Sequence, residues 1–113
     1  MPEKGDRLSL LGQVVDIVAP LQERFTNAFA SLGVRLSVEA CVAPRLSGKT
    51  IIGVLAEVES TQPRGPHGRE IIPVWIRPWL SRRWTQVTSL SDASAKIEQL
   101  MVSWLDEIRG HPA

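Results

Sequence analysis

The chain of 113 residues lacks the features on which secreted and membrane-spanning proteins depend. Cys41 is its single cysteine, which excludes an intrachain disulfide and a cysteine-rich zinc module. No apolar run approaches the roughly 18 residues of a membrane span, and the mixed charges at the N-terminus are unlike those of a signal peptide. We therefore expect a cytoplasmic protein with no membrane partner.

An excess of charge of one sign is also missing. Thirteen basic residues and 12 acidic residues leave a formal net charge of +1, which excludes a histone-like protein and an acidic disordered tail. The hydrophobic share of 43% is enough for one core. These values predict a single domain over residues 1–113, with flexible tails at residues 1–5 and 110–113.

Apolar residues between positions 11 and 32 recur at the spacing of an amphipathic helix. They are Leu11, Val14, Val15, Val18, Leu21, Phe25, Ala28, Phe29 and Leu32. Asp6 or Ser9 is placed to cap the start of this helix. The phase continues across Pro20, so we expect one helix kinked at the proline. Gly33 follows the last apolar position and predicts the end of the helix.

The apolar period then changes to two. Residues 34 to 43 alternate as in a half-buried strand, and residues 50 to 59 are the expected return arm of a hairpin, with a helix as the weaker alternative. Residues 60 to 69 contain two prolines and two glycines and predict a mobile loop. A third strand is expected over residues 70 to 80, at an edge or a bulge because of Pro73 and Pro78. A short fourth strand over residues 84 to 88 is also possible.

Ser91 and Asp92 indicate the start of a second helix, and an apolar stripe continues to Ile108 before Gly110. The predicted fold class is α+β, with two helices packed on one face of a three- or four-stranded antiparallel sheet in the order α-β-β-β-(β)-α. This order resembles the topology of the double-stranded RNA-binding domain, which implies RNA binding. That family has a lysine-rich start to its last helix, whereas residues 91–96 here read Ser-Asp-Ala-Ser-Ala-Lys.

Residues 43–50 match a relaxed phosphate-loop pattern, because four residues separate Ala43 from Gly48, Lys49 and Thr50. Such a loop binds phosphates with backbone amides at a helix N-terminus. The residues after Thr50 are instead rich in β-branched types. We therefore favour a hairpin turn with an exposed lysine and keep nucleotide binding as the third hypothesis.

Catalytic and metal-binding groups are scarce. His67 and His111 have no cysteine, histidine or carboxylate neighbours at ligand spacing, so no metal site is predicted. Cys41 falls on the polar side of the first strand, where a small surface residue is favoured over a catalytic pair with His67. We expect a protein that is not an enzyme and binds no cofactor.

Residues 71–84 contain three of the four tryptophans and three arginines. If Ile72, Val74, Ile76 and Leu80 face the helices, strand alternation places Trp75, Arg77 and Trp79 on the opposite face with Leu55 and Ile51. The opposite orientation, with both indole rings in the core, is about equally consistent with the sequence. The outward orientation predicts an interaction surface, because tryptophan and arginine are typical interface residues. Its proposed members are Leu55, Trp75, Arg77, Trp79, Arg82, Arg83 and Trp84.

The region is also locally basic, with seven Lys or Arg against three Glu over residues 44 to 84. Arginine beside aromatic rings can bind phosphate while a base stacks, so a nucleic acid is the alternative ligand, with Arg64 and Arg69 as further phosphate contacts. The leading hypothesis is a small bacterial-type interaction domain that binds a protein partner or forms a homodimer through the open sheet face.

Overall fold

The computed structural model describes residues 6–45 and 48–110. Its elements are α1 (Asp6–Ala30), β1 (Val34–Arg45), β2 (Lys49–Ser60), β3 (His67–Pro78), β4 (Thr85–Gln86) and α2 (Leu90–Gly110). The four strands form one antiparallel sheet in sequence order. Both helices lie on one face of the sheet and contact each other. The predicted α+β fold and its element order are confirmed.

The first helix continues through Pro20, as the unbroken apolar phase predicted. Pro20 lacks the N–H that would bond the carbonyl of Asp16, and both residues are exposed, so water can satisfy that carbonyl. The buried stripe of α1 is Val14, Val18, Leu21, Phe25 and Phe29. At the C-terminal end, Gly33 has a φ of 73° and its N–H donates to the Ala30 carbonyl, as expected of a glycine that ends a helix.

The second helix begins one residue earlier than predicted. Ser89 is its N-cap, because the Ser89 Oγ accepts a hydrogen bond from the Asp92 N–H at 3.1 Å. Asp92 lies in the first turn, as expected, where its charge favours the helix dipole. The residues of α2 that are buried against the sheet are Ala93, Ile97, Met101 and Leu105, which follow one another at intervals of four.

The outer edge of β1 is partly closed by a side chain from α1. The Gln22 Oε1 accepts a hydrogen bond from the Val38 N–H at 2.5 Å, and its Nε2 donates to the Leu36 carbonyl at 3.0 Å. The amide group of Gln22 thus takes the place of a peptide group in a neighbouring strand. Unpaired edge groups promote strand addition from other molecules, and this contact removes two of them.

A bulge in β3 changes which side chains face the helices. Ile52 pairs with Trp75 and Gly53 with Pro73, which leaves Val74 as the extra residue. Val74 and Trp75 both belong to the core, at 0% and 6% exposure. Ile76, which was expected to face the helices, pairs with Ile51 on the other side of the sheet.

The remaining sequence predictions have mixed outcomes. The strand that was expected at residues 50 to 59 is β2, so its helical alternative is wrong. The breaker-rich loop is shorter than predicted, because β3 already begins at His67. Gly110 belongs to α2, and the other residues of the two predicted flexible tails lie outside the described residues. No helix in the described part of the chain is both long enough and apolar enough to span a membrane.

Candidate functional site

The outer face of the sheet is the side that points away from α1 and α2. Its position follows from the strand register, because directly paired residues share a face. Leu55 pairs with Ile71, Gly53 with Pro73 and Ile51 with Ile76. Leu55 and Ile51 lie on this face as predicted.

Four half-buried side chains form the accessible apolar centre of this face: Leu55, Ile71, Pro73 and Ile76. On the β1 side, Cys41 and Ala43 extend the row, and the exposed Glu39 pairs with Leu55. Ile51 is only 3% exposed, so its neighbours already cover it. The elements with described contacts to the sheet pack on the opposite face, which leaves this centre accessible to a partner.

Charged residues flank the apolar centre at its two ends. Lys49 lies at the end where β2 begins, and Glu57 and Glu59 lie toward the end of the same strand. Glu57 is within 4.0 Å of Arg69 on β3, and both side chains are about half exposed or more. Eight residues of extended strand place Lys49 about 27 Å from Glu57. Arg35 of β1 pairs with Glu59, so this second end has charges of both signs, whereas the end with Lys49 is basic.

The expectation that Trp75, Arg77 and Trp79 share the outer face is wrong. The bulge turns Trp75 into the core, and Arg77 pairs with Thr50 on the helix side. The guanidinium of Arg77 stacks over the Trp84 ring at 5.2 Å, and Trp84 is half buried against the core. Trp79 follows the last residue of β3 and is 76% exposed in the turn after it.

The arginines proposed to bind phosphate are divided between the two ends of the sheet. Arg69 lies near the start of β3, whereas Arg82 and Arg83 follow its end. A strand of 12 residues extends about 40 Å, so these side chains do not form one surface. Arg64 lines a half-open cavity of about 1010 Å³ beside α2, together with His67 and Trp104. The sequence correctly indicated a basic region, but its spacing does not reveal this division.

The phosphate-loop match does not form the structure that its chemistry requires. Lys49 and Thr50 are the first residues of β2 and pair with Arg45 and Pro44 of β1. The chain therefore enters a strand at this point, and no helix N-terminus is present there to present amides to a phosphate. Gly48 has a φ of 78°, which fits a hairpin turn.

Within residues 6–45 and 48–110, no three His, Cys, Asp or Glu side chains are placed to hold a metal ion. Sequence reasoning missed Ile71, Pro73 and Ile76 as members of the outer face. Ile71 and Pro73 already have the parity of the outward face in the sequence, and for Ile76 the usable signal was Pro73, because a proline in a central strand indicates a bulge that reverses the alternation after it.

Comparisons of the chain with protein-family models, with curated proteins and with solved structures found no match. The resemblance to the double-stranded RNA-binding domain therefore stays one of element order.

Proposed function

We propose that this protein is a non-enzymatic interaction domain that forms a homodimer through the outer face of its sheet. The observation that carries the proposal is the accessible apolar centre formed by Leu55, Ile71, Pro73 and Ile76. Apolar surface of this kind on a regular sheet is stabilised when a second layer covers it. A cytoplasmic location, which the single cysteine supports, is part of the same proposal.

The size of the face supports a protein partner. Three strands of 12 residues extend about 40 Å and are spaced about 4.8 Å apart, so the footprint is on the order of 600 Å² per protomer. Two such footprints together reach the roughly 1,000 Å² that a specific interface needs. A small ligand would leave most of the face uncovered.

The distribution of charge supports a second copy as the partner. In this dimer, a two-fold axis lies in the plane of the interface and perpendicular to the strands. Rotation about this axis brings the two sheets face to face, with the strands of one copy running opposite to those of the other. Lys49 of each copy then lies over Glu57 and Glu59 of the other copy, at the end where Arg35 and Arg69 also lie. Both copies gain the same opposite-charge contacts, as an isologous interface requires.

The test measures the mass of the protein in solution. We expect the wild type to sediment at twice the chain mass of 12.5 kDa and Leu55→Arg to sediment at 12.5 kDa, because a long charged side chain at the apolar centre must lose its water and keeps the two faces apart. Val102→Arg is the matched control, since Val102 is 46% exposed on α2 and away from the face. A monomeric wild type at high concentration, or a dimeric Leu55→Arg, would refute the proposal.

The orientation has its own test by charge reversal. Lys49→Glu and Glu59→Lys should each weaken the dimer, and the double variant should recover it, because the charges are exchanged together. Additive weakening in the double variant would refute the end-over-end arrangement.

A further inference from the structure

The turn between β3 and β4 presents two large apolar side chains. The Ser81 N–H donates to the Pro78 carbonyl at 3.0 Å, which makes Trp79 and Leu80 the central residues of a β-turn. The Trp79 N–H donates to the Gly48 carbonyl at 2.6 Å and ties this turn to the β1–β2 connection. The two connections therefore lie side by side at one end of the sheet.

Contacts behind the turn hold its shape. The Arg77 Nη1 donates to the Ser81 carbonyl at 3.1 Å while the guanidinium stacks over Trp84. The Ser81 Oγ accepts a hydrogen bond from the Arg83 N–H at 3.0 Å. Because the backbone is bonded in this way, the exposure of Trp79 and Leu80 is a property of an ordered turn.

The two side chains at the apex of this turn are large, apolar and mostly exposed to solvent. Trp79 is 76% exposed and Leu80 is 88% exposed, whereas Trp75 is in the core and Trp84 is half buried. Two adjacent apolar side chains at the apex of a turn cannot cover each other from water. Exposed apolar surface in an ordered position indicates a binding site.

The two connections at this end of the sheet, and the strand ends beside them, contain basic but no acidic residues. No Asp or Glu occurs in residues 40–56 or 71–91, which make up the two connections and the strand ends beside them. Lys49, Arg82 and Arg83 are exposed there. The outer-face carboxylates Glu57 and Glu59 lie toward the other end of the sheet and Glu39 lies near its middle, so the turn attracts an anionic partner.

We propose that this turn docks the protein on the surface of an anionic lipid bilayer. Trp79 and Leu80 enter the interfacial region, where an indole ring and an aliphatic side chain are both stable, and Arg82 and Arg83 contact the lipid phosphates. A nucleic acid fits less well, because Leu80 offers no ring for stacking and a protruding apex does not enclose a strand. This surface association needs no membrane-spanning segment and is independent of the proposed dimer.

The first experiment is flotation with phosphatidylcholine vesicles, either pure or containing about one third phosphatidylglycerol. We expect binding only to the anionic vesicles, and a drop of at least about tenfold for the double variant Trp79→Ala, Leu80→Ala. Val102→Ala is the control for lost apolar surface, because Val102 is 46% exposed on α2 and away from the turn. Wild type that fails to bind anionic vesicles, or a double variant that binds like wild type, overturns the proposal.

A second experiment tests the charge and the depth of the turn. Arg82→Glu with Arg83→Glu should abolish binding, and Arg64→Glu at the other end of the sheet should not. Trp79→Phe should keep binding but lose most of the fluorescence quenching by brominated lipids, since the entering indole is gone. If quenching persists in Trp79→Phe, Trp79 does not insert. If the protein binds oligonucleotides but not vesicles, the surface is assigned to nucleic acid and the lipid proposal is overturned.

The vesicle result can be separated from the proposed dimer with one variant. Leu55→Arg alters the outer face and leaves the turn unchanged, so it should bind anionic vesicles even as a monomer. Vesicle binding that is lost in Leu55→Arg would contradict the independence of the two surfaces.

Discussion

Replacing Gly53 with alanine tests whether the bulge in β3 needs a residue without a side chain. A Cβ on Gly53 would lie 2.9 Å from the Pro73 Cα and closer still to the Ile72 carbonyl oxygen. Both are backbone atoms of the neighbouring strand, so rotation of a side chain cannot relieve the overlap. The strands must therefore separate at the position where Val74 and Trp75 enter the core.

The expected cost follows from these contacts. Overpacking in a closely packed interior costs about 1–3 kcal/mol, and the stiffer unfolded chain of an alanine variant offsets roughly 0.4–1 kcal/mol of it. We expect Gly53→Ala to lower the free energy of unfolding by about 1–2 kcal/mol net, or Tm by roughly 4–16 °C for a domain of this size. Urea unfolding followed by tryptophan fluorescence measures the change.

The matched control is the same substitution at Gly12. Nothing lies within 4 Å of a Cβ built on Gly12, which is in the interior of α1. Gly12→Ala should therefore raise the free energy of unfolding by about 0.5–1 kcal/mol through helix propensity. A Gly53→Ala protein as stable as wild type would refute the steric argument.

Two further predictions concern α1. Gln22→Leu should lower the free energy of unfolding by about 1–3 kcal/mol, because the Val38 N–H and the Leu36 carbonyl lose their partner; unchanged urea unfolding would contradict this role. Pro20→Ala should raise it by up to about 3 kcal/mol, because a backbone hydrogen bond to Asp16 is restored in the helix interior. Calorimetry measures the second change, and a lower Tm for Pro20→Ala would contradict it.

Local patterns determined the elements. The apolar stripe from Val14 to Phe29 forms a helix across Pro20 because the phase of apolar residues outweighs one lost hydrogen bond. Alternation identified β1, and Gly33 and Asp92 were correctly placed at helix ends. These predictions depend on neighbours within a few residues, which the sequence contains directly.

The surface depended on contacts between distant segments. One extra residue at Val74 reverses the alternation of β3, which moves Trp75 into the core and Ile76 to the outer face. Where a bulge lies is decided by the pairing of β3 with β2 and by the space at Gly53. Strand alternation alone could therefore place Leu55 on the outer face but not Trp75.

The sequence by itself determined the α+β fold, the element order and a basic, tryptophan-containing region. Only the tertiary structure decided that Arg69 and Arg82 lie at opposite ends of the sheet and that Trp79 lies at the apex of a turn. The physical reason is that periodicity reports which side of an element is apolar, whereas the position of a side chain in space depends on register and on the length of the paired strands.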